Sequence, residues 1–324
     1  MDRIICVVGP TASGKTKLAV QLAKAYDGEV VSCDSMQIYK HMDIGTAKPM
    51  PEEMEGVPHH MIDCVEPGED FSVGKYVQLA DGCVQDILSR GKTAVIAGGT
   101  GLYVDSLIAG RTFAPVPQTG KREALEAQLR QEGGEAMLRK LRAVDPDAAA
   151  RLHPADEKRI IRALEVYAET GRTITQHNLD TQQIPPRYRP VWIGLDYLDR
   201  AVLYRRIDLR VDLMMKNGLL AEVEKLKEMG CTRDMVSMQG LGYKEILDAL
   251  DGTISLDEAV YIIKRDTRHF AKRQLTWFKR EKEVTWVDQG NFDFDREKIL
   301  VWMLEDLRER NIMAVRKKEK SWNL

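Results

Sequence analysis

Gly9-Pro10-Thr11-Ala12-Ser13-Gly14-Lys15-Thr16 is the stretch that decides how this chain is read. It is a complete GxxxxGK[ST] pattern. Before it, Arg3–Val8 reads as a buried strand; after it, Thr16–Tyr26 reads as a helix with Leu18, Ala19, Leu22 and Ala23 on one face. Strand, glycine-rich turn and helix form the context in which this spacing cradles phosphate. The glycines let backbone N–H groups turn inward, and the helix N-terminus adds a favourable dipole. Lys15 supplies a point charge, and Thr16 offers a hydroxyl to Mg²⁺. All eight residues, Gly9 to Thr16, are therefore candidates for binding a diphosphate.

Outward from that loop, apolar runs alternate with helical patterns. Glu29–Cys33 and Thr93–Ala97 read as strands, with Ser72–Arg90 a helix between them. This rhythm predicts parallel strands with crossover helices, and so an α/β fold with a P-loop NTPase-like parallel sheet. Phe113-Ala-Pro-Val-Pro-Gln-Thr-Gly120 is a linker by composition. From Lys121 to Thr170 the pattern is purely helical, and Ile184-Pro-Pro-Arg-Tyr-Arg-Pro190 closes that block. Strands resume at Val191–Leu195, helices fill 199–282, and Thr285–Val287 and 295–310 read as a last strand and helix. The expected organisation is a core of residues 1–115 and 190–310, a helical insertion domain over 116–189, and a charged tail at 311–324.

The 324 residues suit two domains of roughly 150. With 48 Lys and Arg against 50 Asp and Glu, the net charge of −2 excludes a generally basic nucleic-acid coater, though not local patches. Five scattered cysteines without a CxxC suggest reduced thiols rather than a zinc ribbon or redox pair. No signal peptide and no apolar run near 20 residues is visible, so a soluble, cytoplasmic, monomeric protein is expected.

Phosphate-transferring P-loop proteins usually hold Mg²⁺ with a carboxylate at a strand end. Here the strand Thr93–Ala97 runs instead into Gly98-Gly-Thr-Gly-Leu-Tyr103, which presents amides and the Thr100 hydroxyl. The carboxylate follows the second strand, in Cys33-Asp-Ser-Met-Gln-Ile-Tyr39. At the carboxyl end of a strand in an open α/β sheet, Asp34 faces the ligand crevice; a turn cap is the alternative for Asp-Ser.

Together with Gly45-Thr-Ala-Lys-Pro49, Pro58-His-His-Met-Ile-Asp63 and Lys272-Arg-Gln-Leu-Thr-Trp277, these segments occur in an order that resembles the tRNA dimethylallyltransferases, from residue 4 to about 287. The resemblance implies transfer of the five-carbon group of dimethylallyl diphosphate to N6 of the adenosine 3′-adjacent to the anticodon, in tRNAs reading codons that begin with U. Asp34 is then the candidate general base for a weakly nucleophilic amine. Lys15, Mg²⁺ on Thr16, Thr100 and Arg210 would stabilise charge on the departing diphosphate. Arg206, one turn before Arg210, is the fallback. Eukaryotic members often carry a zinc-finger extension; no cysteine follows Cys231, which suggests the bacterial type.

The same resemblance assigns tRNA contacts to Asp34, Ser35, Met36, Gln37 and Thr100. It adds Gln239, Gly240, Gly242, Tyr243 and Lys244, where Tyr243 is either a base-stacking ring or an ordinary core tyrosine. Lys272, Arg273 and Gln274 follow on a basic helix, in a segment 264–283 with eight Lys or Arg against three acids. Arg265, Arg268, Lys272, Thr276 and Lys279 share one face of it. In the insertion, Arg122 and Lys158-Arg159-Ile160-Ile161-Arg162 are the candidates. Trp277 and Phe278 are expected to pack inward, and His59-His60 to form loop structure or support the core rather than hold metal. The competing functions are an adenylate isopentenyltransferase acting on free AMP, ADP or ATP, a P-loop small-molecule kinase, and a non-catalytic RNA-binding protein.

Overall fold

The computed structural model describes residues 2–111, 113 and 119–310. Linker residues 114–118 and the charged tail lie outside the described residues. The chain divides into two compact units, 1–108 with 187–324, and Ala109–Pro186.

The first unit opens with β1 (Arg3–Val8), α1 (Lys15–Ala25), β2 (Gly28–Ser32), α2 (Pro51–Met54), β3 (His59–His60), α3 (Val73–Ser89), β4 (Thr93–Gly98) and α4 (Gly101–Ala109). The second is built from α5 (Lys121–Val144), α6 (Pro146–Ala149), α7 (Glu157–Thr170) and α8 (Ile174–Gln182). The first then resumes with β5 (Arg189–Asp196), α9 (Arg200–Lys216), α10 (Leu219–Glu228), α11 (Tyr243–Leu250), α12 (Leu256–Phe278), β6 (Thr285–Asp288) and α13 (Arg296–Glu309).

Six parallel strands form one sheet in the order β3-β2-β4-β1-β5-β6. β1 is central and apolar on both faces. Ile4, Cys6 and Val8 pack with Tyr76, Val84 and Val104 on one side; Ile5 and Val7 pack with Leu18, Leu22 and Met303 on the other. Burying each large aliphatic side chain contributes about 1.5–3 kcal/mol, so this double-sided run is what makes the strand central. The register pairs Val8 with Gly98 and Ser32 with Ala97. The turns after β1, β2 and β4 therefore emerge side by side at the carboxyl edge, where an open parallel sheet binds its ligand.

Two elements differ from the sequence expectation. His59-His60 forms a short edge strand whose carboxylate neighbour, Glu29, also binds Arg90 and Lys92; these partners hold the buried Glu29 carboxyl well below its usual range. GGTGLY is only partly a turn, because its second half begins α4. The compact helical unit also ends at Pro186 rather than 189. Arg187 N–H donates to Ile108 O at 2.9 Å and Tyr188 is fully buried, which anchors this stretch to the sheet.

The second unit has its own core, in which Met137, Leu141, Ile160, Ile161 and Leu164 meet. No helix among the described residues is long and apolar enough to cross a membrane.

Candidate active site

The phosphate loop is shaped by close approaches and held from outside. A Cβ on Gly9 would stand 2.4 Å from Leu195 O, so only glycine lets the loop leave β1 against β5. Gly14, at φ 82°, takes the left-handed conformation at the N-terminus of α1. Each loop residue from Pro10 to Ser13 has a backbone atom held by a side chain. Lys15 Nζ donates to Pro10 O at 2.6 Å, and Thr11 N–H donates to Gln274 Oε1 at 2.8 Å. Arg206 Nε donates to Ala12 O at 3.1 Å, and Gln289 Nε2 donates to Ser13 O at 3.0 Å. Burial and the neighbouring Arg210 guanidinium push the Lys15 ammonium down to about 7, against the opposing pull of Asp34. Burial likewise lowers Arg210. These are cations packed together where an anion would be welcome.

Asp34 follows β2. Its Oδ1 accepts from Met36 N–H at 2.9 Å, so the turn-capping role is real and leaves the carboxylate oriented. Thr100 Oγ1 accepts from Ser35 N–H at 3.1 Å, and Thr100 N–H donates to Cys33 O at 3.1 Å, which locks the β2 and β4 turns together. The glycines of Gly98-Gly-Thr-Gly101 permit this. A Cβ on Gly98 would lie 2.2 Å from Cys33 O, one on Gly99 2.0 Å from Gln274 Nε2, and one on Gly101 2.1 Å from the Trp277 ring.

Two adjoining cavities result. The smaller, about 110 Å³, is lined by Thr11, Ala12, Gly14, Lys15, Thr16, Gly98, Gly99 and Gln274. The larger, about 320 Å³, has a more apolar wall that includes Met36, Val211, Met214, Leu241 and Ile263. Both are lined by Thr11, Asp34, Thr46, Arg210 and Phe270. One carboxylate, Asp34, thus lines both a small polar space and a larger, more apolar one.

The family description "IPP transferase" matches residues 37–281, and "isopentenyl transferase" matches residues 2–65. A tRNA dimethylallyltransferase of Acetivibrio thermocellus is 50% identical over 301 residues, covering 93% of this chain and 96% of that protein. The solved full-length tRNA isopentenylpyrophosphate transferase of Bacillus halodurans superposes with a TM-score of 0.70 at 43% identity, covering 96% of this chain and 98% of that one. A eukaryotic dimethylallyltransferase, described as acting on tRNA, reaches a TM-score of 0.80 at 27% identity, covering 99% of this chain and 82% of that one. The chain belongs to the tRNA dimethylallyltransferase family.

Against that family's chemistry, the candidate residues sort by position. Thr11, Ala12, Gly14, Lys15 and Thr16 line the small cavity, whereas Gly9, Pro10 and Ser13 shape the loop from behind. Arg210 lines both cavities, while Arg206 is bonded to the loop backbone, which separates the two arginines that sequence left open. Thr100 lines neither cavity and acts by holding Ser35. Gln37 lines the small cavity; its Nε2 donates to Thr46 O and Ala47 O, and its Oε1 accepts from Ser32 Oγ.

Several expected RNA contacts are occupied inside the protein. Tyr243 is 1% exposed and donates its hydroxyl to Glu222 at 2.7 Å, so it is packed as a core tyrosine that also forms part of the wall of the larger cavity. Gln274 is 6% exposed and bridges Thr11 N–H to Gly99 O; it belongs to the phosphate loop's support. Ile160 and Ile161 are buried in the core of the helical unit, because the face of α7 that carries them is its apolar face. Arg122 and Arg162 share the buried Glu165. Lys158 and Arg159 are exposed.

On α12 the expected basic stripe is partly neutralised. Arg268 pairs with Asp208, Lys264 with Asp212, Arg265 with Asp266 and Lys279 with Asp196. Lys272 and Arg273 have no carboxylate partner among the described residues, and Arg273 lines the larger cavity. Gln239 is exposed, Gly240 packs against Met36, and Gly240, Gly242 and Lys244 line that cavity as well. Trp277 and Phe278 pack inward, with Trp277 Nε1 donating to Asp105 Oδ2 at 2.9 Å.

The supports Arg206, Gln289 and Glu222 were not found from sequence. Sequence presents Arg206 only as a phosphate ligand, and nothing local to Gln289 or Glu222 reveals a distant backbone partner. For a metal, the described residues contain no cluster of three or more His, Cys, Asp or Glu. Thr16 and Asp34 line the same small cavity and offer oxygen donors. That set fits Mg²⁺ held by a hydroxyl, diphosphate oxygens and water rather than by a protein cage.

Proposed function

We propose that this enzyme transfers the dimethylallyl group of dimethylallyl diphosphate to N6 of the adenosine 3′-adjacent to the anticodon in tRNAs reading codons that begin with U, releasing diphosphate. The observation that carries this reading is the single carboxylate, Asp34, lining both cavities. In the reaction a bond forms between N6 and the first carbon of the allylic chain while the bond from that carbon to the bridging diphosphate oxygen breaks. That oxygen takes the electron pair, and the N6 proton goes to Asp34, a transfer typically worth about 10²–10⁴-fold. Lys15, Arg210 and the loop amides stabilise the leaving charge in place. Mg²⁺, when bound near Thr16, would neutralise part of the diphosphate charge.

The acceptor adenosine is read as splayed out of its loop into the larger cavity, against Met36 and the Gln239–Lys244 turn. Lys272, Arg273, Lys158 and Arg159 are the proposed phosphate contacts of the anticodon stem-loop. A monomer in the cytoplasm, where tRNA resides, completes the reading. The kinase alternative is disfavoured at β4, where the first carboxylate after the strand is Asp105, bonded to Trp277.

Incubation with dimethylallyl diphosphate, Mg²⁺ and unmodified tRNA, followed by mass spectrometry of the digested nucleosides, tests this directly. A five-carbon gain on tRNA adenosine is expected. A gain on free AMP or ATP, or ATP turnover without transfer, would reject it.

A further inference from the structure

Residues 43–48 form one tight turn that walls both cavities. Thr46 lines both, Gly45 the larger and Ala47 the smaller. The turn closes on itself through Ala47 N–H to Ile44 O at 3.0 Å and Lys48 N–H to Asp43 O at 2.9 Å. As at the start of any helical turn, its first N–H groups have no partner within it.

Glu222 of α10 supplies the acceptors. Its Oε2 accepts from Asp43 N–H at 2.9 Å and Ile44 N–H at 2.7 Å; its Oε1 accepts from Gly45 N–H at 3.0 Å and the Tyr243 hydroxyl at 2.7 Å. Four donors converge on one acceptor-only carboxylate, close to its full capacity. From the other side, Gln37 Nε2 donates to Thr46 O and Ala47 O at 3.4 and 3.2 Å, three residues beyond Asp34. Gly45 lies on the Tyr243 ring, where a Cβ would approach to 2.6 Å.

We propose that Glu222 is a positioning residue for prenyl transfer: it fixes the 43–47 turn so that Thr46, like Asp34, stays in the walls of both cavities. Glu222 lines neither cavity, so it acts through the turn and Tyr243. The inference rests on reading those two cavities as the reaction site. Glutamine has the same shape but replaces one acceptor oxygen with an NH₂ group. With the NH₂ toward Asp43 and Ile44, two hydrogen bonds become donor against donor; turned toward Gly45 and the Tyr243 hydroxyl, which can accept, one does, and either way the wall shifts. Misplacement of about 1 Å costs on the order of 10²-fold in an oriented reaction.

The test compares parent, Glu222→Gln and Glu222→Asp for dimethylallyl transfer to unmodified tRNA, with each rate divided by the number of inorganic diphosphate sites counted calorimetrically. Expected is a fall in kcat per site of about 10–100-fold for Gln and about 3–10-fold for Asp, which keeps an all-acceptor group on a shorter stem. Diphosphate affinity should stay within about threefold, because the phosphate loop is held by Gln274, Arg206 and Gln289 instead. Rates per site within twofold of the parent would overturn the proposal, as would a loss wholly explained by fewer diphosphate sites. If the Gln variant is insoluble, the Asp variant decides by the same criterion. A parent that binds diphosphate yet prenylates no tRNA would instead remove the functional reading on which this rests.

Discussion

The two ends of the reaction site are built differently. At the phosphate end, backbone atoms of four consecutive loop residues, Pro10 to Ser13, are fixed by side chains, three of them reaching in from 194 to 276 residues away. The donors an anion needs are already aimed before it arrives, which is what makes such a site effective. At the proposed acceptor end, most candidate cations of the first unit are paired with carboxylates: Arg268 with Asp208, Lys264 with Asp212, Arg265 with Asp266. Binding RNA there means exchanging one ion pair for another, whereas Lys272 and Arg273 have no such pair to break. On the proposed reading, the diphosphate site is preorganised and the RNA-facing surface is held in reserve.

Replacing the residue common to both ends breaks that comparison most sharply. Asp34→Asn should lower turnover by about 10²–10⁴-fold while diphosphate affinity, measured by calorimetry, changes only a few-fold. If affinity collapsed instead, Asp34 would belong to the phosphate end alone. Next in size, Ile160→Ala should destabilise the helical unit by about 2–5 kcal/mol in denaturant titration, whereas Lys158→Ala and Arg159→Ala should each stay within about 0.5 kcal/mol. Equal stabilities would return Ile160 to the RNA-contacting set.

Gln274→Glu keeps the acceptor for Thr11 N–H but loses the donor to Gly99 O and puts a negative charge at the small cavity. Diphosphate should bind about 10–100-fold more weakly, readable by calorimetry. An unchanged affinity would mean the loop needs no such support. The phosphate end also has a pH signature. Lys15 is held down to about 7 by burial and Arg210, and an arriving diphosphate raises it again. Above pH 7, up to the bound value, binding should take up close to one proton, and affinity should fall by at most about tenfold per pH unit. Calorimetry with an unreactive dimethylallyl diphosphate analogue, in buffers of different ionisation enthalpy, checks the sign. Proton release would contradict it.

The smallest effect belongs to the acceptor end. Lys272→Ala should flatten the dependence of log tRNA affinity on log salt by about 0.7–0.9, while Arg268→Ala, already paired with Asp208, should change it less. Equal changes would erase the distinction between free and paired cations.

The phosphate end was legible because its information is local. GPTASGKT carries its glycines, its lysine and its hydroxyl in eight consecutive positions, flanked by an apolar strand and an amphipathic helix. Asp34 was legible because the carboxyl end of a parallel strand in such a sheet faces the ligand. The acceptor end was read less well. Gln274, Ile160 and Ile161 sit in segments rich in RNA-contacting types, and only burial separates a phosphate-facing helix side from its apolar opposite.

By itself, then, the sequence determined the α/β sheet, the phosphate loop, the place of the Asp34 carboxylate at a strand end and the membership of a transferase family, because each follows from spacing within a few residues or from periodicity within one element. Tertiary structure alone decided that Arg210 faces both cavities while Arg206 braces the loop, that Thr100 holds Ser35, and that Glu222 and Gln274 support turns remote in the chain. Those roles depend on backbone donors and acceptors that meet only when strands far apart in sequence pair side by side, and an unpaired backbone group leaves no mark on the residue that will satisfy it.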